Sequence, residues 1–130
     1  MNIDRAYGFD APPEVVYSTL TDPARLDRWL PRGVCSEQAG PDTIRIRTAG
    51  TVLNCTITLT PADLRLQWRL SDHEGVHGTV RAADAPAGGT ELHVTIEAPD
   101  TALDADRTGQ LLADVIRRLQ RDVEDNLTPG

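Results

Sequence analysis

The chain has 130 residues, 39% of them hydrophobic, and a net charge of −7. That length suits one domain, 1–130, and no apolar run approaches the roughly 20 residues that a transmembrane helix needs. The acidity argues against nucleic acid, whose binding wants a basic stripe, and against anionic membrane surfaces.

Every basic side chain other than histidine is an arginine, which leaves only the N-terminus for Schiff-base chemistry. Cys35 and Cys55 fit no metal spacing and no CxxC pattern, so both are expected reduced, Cys55 as a small core residue. The opening MNIDRAYGF lacks a basic-then-apolar leader pattern, and a cytoplasmic location is expected.

Residues 3–9 read as a first strand, with Ile3, Arg5, Tyr7 and Phe9 on one face by the two-residue period. Three of the four are apolar or aromatic, so that face points inward. Arg5 either snorkels to solvent at a strand end or offers a cation at the edge of the interior. Pro12 and Pro13 end the strand and open a short helix through Glu14, Val15, Val16 and Leu20. Asp22-Pro23 supplies an N-cap and first-turn proline for a second helix. Leu26, Trp29 and Leu30 share a face of it, and Pro31 stops it.

Short strands follow, separated by turns at Gly40-Pro41-Asp42, Ala49-Gly50, Pro61-Ala62-Asp63, Ser71–Gly75 and Asp84–Gly89. Val34–Ala39 is the weakest of them. Thr43–Thr48 sets Ile44 and Ile46 on one face. Val52–Thr60 turns Leu53, Cys55, Ile57 and Leu59 inward, and Leu64–Leu70 does the same with Leu64, Leu66, Trp68 and Leu70. Val76–Ala83 is interrupted by Gly78. Thr90–Ala98 turns Leu92, Val94 and Ile96 inward, and Pro99 closes it. This is the alternation of half-buried antiparallel strands in a meander. From about Leu103 to Leu127 the period becomes helical. Leu112, Val115, Ile116, Leu119 and Val123 form the apolar stripe, with Asp114, Arg117, Arg118, Arg121 and Asp122 on the wet face. Such a helix is roughly 35 Å long, enough to cross a curled sheet, and Pro129-Gly130 ends the chain.

Motifs of chemistry are scarce. His73-Glu74-Gly75-Val76-His77 spells the H-E-x-x-H zinc pattern, but that pattern works only on a helix. Here it spans a turn and a strand start, and if extended its two histidines would lie roughly 13 Å apart. His77 and His93 take outward positions by parity. No inward carboxylate pair, no partnered serine and no phosphate-binding glycine loop is visible. No metal or cofactor is expected.

The run Ala11-Pro12-Pro13-Glu14-Val15-Val16-Tyr17, then Thr21-Asp22-Pro23, then Arg28-Trp29-Leu30-Pro31, resembles the SRPBCC superfamily of START-like helix-grip proteins. Within it the match is to the polyketide cyclase/dehydratase-like and Hsp90-ATPase-activator-like branches. Gly88-Gly89-Thr90-Glu91-Leu92 adds a weaker match. The resemblance implies an α+β fold, with a curved seven-stranded antiparallel sheet wrapped around the long C-terminal helix and a cavity between them. It carries no shared catalytic residue. With strand parity it nominates Tyr7, Cys55, Ile57, Leu66, Trp68, Val80, Val94, Leu112, Ile116 and Leu119 as ligand-binding residues, with Arg5 as the polar end. Trp29 is expected chiefly to anchor the helix pair.

The function expected is binding of a small hydrophobic or aromatic molecule by a monomer or homodimer. The alternatives are a polyketide aromatase/cyclase-like enzyme, with Arg5 and Tyr7 as its only helpers, and a protein-interaction module of the Hsp90 co-chaperone type.

Overall fold

A computed structural model describes residues 1–99 and 104–127. Strand β1 (Asn2–Phe9) leads into α1 (Pro13–Thr21), a 3-10 turn (Pro23–Arg25) and the one-turn helix α2 (Leu26–Trp29). Strands β2 (Cys35–Gln38), β3 (Thr43–Thr48), β4 (Thr51–Thr60), β5 (Arg65–Leu70), β6 (His77–Asp84) and β7 (Thr90–Glu97) follow, and α3 (Ala105–Leu127) comes last. The expected helix start at Leu103 and the terminal Pro129-Gly130 lie outside the described residues.

The seven strands form one antiparallel sheet in the order β1-β7-β6-β5-β4-β3-β2. Each strand pairs with its chain neighbour except β1, which closes onto β7 and becomes an edge. Inward residues line up in rows across the sheet. Leu59, Leu66, Val80, Val94 and Arg5 form one row, and Ile57, Trp68, Gly78, Ile96 and Ile3 the next. This is the helix-grip architecture, an α+β fold with the long helix held by the sheet.

Local chemistry accounts for the elements. Pro13 opens α1, where its missing N–H has no partner to lose. Asp22 Oδ1 accepts from the Ala24 N–H at 2.9 Å and caps the next turn. That second helix is a 3-10 turn followed by a single α-turn, shorter and more tightly wound than its spacing predicts. Pro31 and Gly33 leave it no room to extend, and Gly33 takes a left-handed φ of 84°.

The core lies between α3 and the β1, β7 and β6 side of the sheet. Ile116, Leu119 and Val123 of α3 pack there with Ile3, Phe9, Leu92, Val94 and Val16. The Thr90 hydroxyl, fully buried, donates to the Ala11 carbonyl at 2.6 Å and ties β7 to the start of α1.

Candidate functional site

The β3–β5 side of the sheet is the less covered by helix among the described residues, with α1 reaching β5 through the Tyr17 hydroxyl. Its inward side chains face a cavity of about 330 Å³. Ile44 and Ile46 come from β3, Cys55, Ile57 and Leu59 from β4, Leu66 and Trp68 from β5, and Val80 from β6. Leu92, Val94 and Ile96 of β7 form the floor, and Leu112, Val115, Ile116 and Leu119 of α3 form one wall. Leu26, Trp29 and Leu30 cover it from the α2 segment, while Gln38, Pro41 and Asp42 sit at the exposed rim. A volume of this size, lined almost wholly by apolar groups, falls in the range of small-molecule sites.

Two anchors hold the α2 cover in place. Asp27 Oδ1 accepts from the Ser36 N–H (2.9 Å) and hydroxyl (2.7 Å), fixing the cover to β2. On the other side Arg25 meets Asp122 of α3 at 3.0 Å, and Arg28 approaches the same oxygen at 3.6 Å. Arg25 also donates to Asn126 Oδ1 (3.1 Å), whose amide donates to the Thr19 hydroxyl of α1 (2.9 Å). Asp122 is therefore not on the wet face assigned from charge pattern. Its side chain is only 3% exposed, because the cover folds back over that side of α3.

Nine of the expected ligand-binding residues line this one cavity: Cys55, Ile57, Leu66, Trp68, Val80, Val94, Leu112, Ile116 and Leu119. Arg5 and Tyr7 do not, which corrects the polar end expected from parity. Arg5 continues the row that contains Val80 and Val94, but on the edge strand, beyond the part of the floor that borders the cavity. It lies against the helix instead, where a Cβ on Gly109 would stand 3.2 Å from its Nη2. Tyr7 pairs with Leu92 and packs against the core, with a buried hydroxyl that has no hydrogen-bond partner among the described residues.

The strand parity missed Leu20 of α1 and Leu26 and Leu30 of the α2 segment, since nothing in a helix face says what it covers. Trp29 lines the cavity as well as anchoring its segment, and its indole N–H is sealed in without a partner among the described residues. Tyr17 is buried, and its hydroxyl donates to the Arg65 carbonyl at 2.9 Å; burial pushes its pKa up.

The lining offers little for acid–base or nucleophilic work. Asp22 is occupied as a cap and Asp42 is at the rim. Burial pushes the Cys55 thiol up, with a smaller opposing contribution from the Arg69 backbone, so it stays protonated and unreactive. The HEGVH segment lies across a turn into β6, and His77 pairs with Glu97 at 3.1 Å. Among the described residues no three His, Cys, Asp or Glu side chains gather to hold a metal. Among them, too, no helix is long and apolar enough to cross a membrane.

Comparison with known proteins agrees with this fold. A family model described as polyketide cyclase / dehydrase and lipid transport matches residues 3–128. Among solved structures, protein CV1439 from Chromobacterium violaceum superposes with a TM-score of 0.76 at 22% identity, covering 95% of this chain and 97% of that one. The Aha1 dimer from Colwellia psychrerythraea gives 0.78 at 20% identity, covering 100% and 99%. TTHA0849 from Thermus thermophilus gives 0.75 at 16% identity, covering 98% and 100%. These identities speak for the fold alone. No curated protein sequence matches. With a family match that leaves out only two residues at each end, on a sheet-and-helix grip that the solved structures share, the chain belongs to the polyketide cyclase / dehydrase and lipid transport family.

Proposed function

We propose that this protein binds a small apolar or aromatic molecule in the cavity between the sheet and α3. The observation that carries the reading is the lining itself: aliphatic side chains from five strands and α3, with two tryptophans, around about 330 Å³. Affinity would come mainly from burial, at roughly 25 cal/mol per Å² of apolar surface before ordering costs. A cyclase-like reading has the family description behind it. It has less support from the residues, because Arg5 and Tyr7 stand outside the cavity and the lining holds no free acid or base in its interior. Such an enzyme would work by holding its substrate in a folded shape.

Native mass spectrometry of freshly purified protein, compared with the denatured mass, tests the binding reading. An extra mass of a few hundred daltons that leaves on denaturation is expected, and Val94→Trp, which fills the floor, is expected to abolish it. Val80→Phe serves as a second filling variant should Val94→Trp fail to fold. The absence of extra mass, together with an unchanged melting temperature across aromatic and lipid-like compounds, would overturn the reading.

A further inference from the structure

Behind the α2 cover, on the opposite side of the α2–α3 seam from the apolar cavity, lies a second concavity of about 400 Å³. Among the described residues only charged ones line it. Arg28 and Arg32 stand on one wall, Arg117, Arg118 and Arg121 on the other, among Asp114, Asp122 and Asp125. It thus gathers five of the chain's 13 arginines and three of its 20 acidic residues. Everywhere else eight arginines face seventeen acids, so positive charge is concentrated here on a protein that is otherwise strongly acidic.

The ion pairs inside the cleft do not use up its arginines. Arg117 and Arg118 hold Asp114 at 3.2 and 3.1 Å, and those hydrogen bonds keep the Asp114 carboxyl below the usual carboxylate range. Asp122 is already engaged at 3.0 Å by Arg25, which lies outside the cleft, so Arg28 is its second and more distant partner at 3.6 Å. Arg28 is also 59% exposed and free to turn. Arg32, in the loop after α2, and Arg121, on α3, make no ion pair or hydrogen bond within the described residues. Two unpaired guanidinium groups and one loosely held one therefore face one concave surface from two elements, against the single carboxylate of Asp125, which is likewise unpaired among the described residues.

The geometry points to a binding site for a phosphate group. A dianion with three free oxygens can take N–H forks from several arginines at once, which one carboxylate cannot match. Among the described residues the cleft has no apolar wall, so it recognises the charged group alone. That group can arrive as free phosphate or as the head of an amphiphile whose tail occupies the neighbouring cavity.

Isothermal titration at constant ionic strength, held with potassium chloride, separates these sources. The probes are inorganic phosphate, decyl phosphate and decanol, and the proteins are the wild type and Arg32→Gln/Arg121→Gln. Neither substituted arginine makes an ion pair among the described residues, so the double variant is expected to fold, and its melting temperature checks this. Saturable binding of inorganic phosphate that weakens about tenfold in the double variant supports the site. Decyl phosphate binding tighter than decanol, by a margin that the double variant loses, supports it with a headgroup as the source. Phosphate binding with no advantage of decyl phosphate over decanol supports it with free phosphate as the source. If phosphate shows no saturable binding and decyl phosphate no advantage, or if the double variant keeps either, the site is overturned. Decanol binding alone would still leave the cavity reading standing.

Discussion

Asp122 shows how far a single position can depart from its pattern. Its spacing on α3 places it among the charged residues of the outer face, yet it is buried and paired with Arg25 and Arg28. The pattern was legible, but the element that covers it comes from nearly a hundred residues earlier in the chain. Removing the carboxylate would leave Arg25, whose side chain is largely buried, without its charged partner and with only Asn126 to accept from it. Asp122→Ala is expected to lower stability by about 2–3 kcal/mol, less than for a fully buried pair because Arg28 is open to water. Asp122→Asn, which can still accept from Arg25, is expected to lose less. Urea denaturation measures both, and equal stability of Asp122→Ala and the wild type would remove the pair from the list of what holds the cover. Arg5 is the converse case. Parity correctly turned it toward the helix, but parity reports a face of the sheet and not a position along a row.

At the scale of elements, the sequence alternation placed every strand, and the deviations sit at their junctions. The run from Leu64 to Leu70 reads as one strand, but β5 starts at Arg65. Leu64 instead adopts a left-handed conformation (φ 49°, ψ 47°) that closes the Pro61–Asp63 turn. Leucine has no local preference for that conformation, which costs about 1–2 kcal/mol, so propensity could not reveal it. Its side chain packs against the core and its carbonyl accepts from the Ala82 N–H at 3.0 Å, contacts that only the assembled sheet provides.

Gly78 is the opposite situation, an apparent flaw in a strand that the structure needs. It sits opposite Trp68, and a Cβ there would stand 2.7 Å from the indole ring and 2.5 Å from the Thr95 carbonyl. The indole lies where a side chain would otherwise be. Gly78→Ala is expected to destabilise by about 1–3 kcal/mol, because the Thr95 backbone cannot give way. It is also expected to shift Trp68 into the cavity, read as changed tryptophan fluorescence in a Trp29→Phe background. An unchanged spectrum and melting temperature would mean that the ring has room to spare.

For the whole molecule, the decisive relation is one long helix against seven curved strands. An α-helix is about 10–12 Å across with its side chains, too narrow to cover the concave face of such a sheet. Here α3 together with α1 covers the β1, β7 and β6 side, and the short α2 segment only roofs the remainder. The void is thus a consequence of the fold, while its apolar lining is a property of this sequence. Because a ligand in that void would bind the folded chain and not the unfolded one, it raises stability by mass action. A compound at a hundred times its dissociation constant is expected to add about 2.7 kcal/mol. For a domain of this size that corresponds to a melting-temperature rise of roughly 10 °C, which Val94→Trp should erase. A rise that persists in Val94→Trp would place the binding elsewhere on the surface.

The sequence by itself determined the order of elements, the inward face of the first strand and of the longer later ones, and the apolar stripe of α3. These depend on periods of two and 3.6 residues, which are local. It also determined that the interior would be poor in titratable groups. Only the tertiary structure decided which inward residues border empty space and which border α3. It alone decided that the α2 segment would fold over Asp122, and that arginines from the α2 wall and from α3 would meet in one cleft. Those outcomes depend on distances between elements far apart in the chain, set by the curvature of the sheet and the width of a helix, and no local period encodes them.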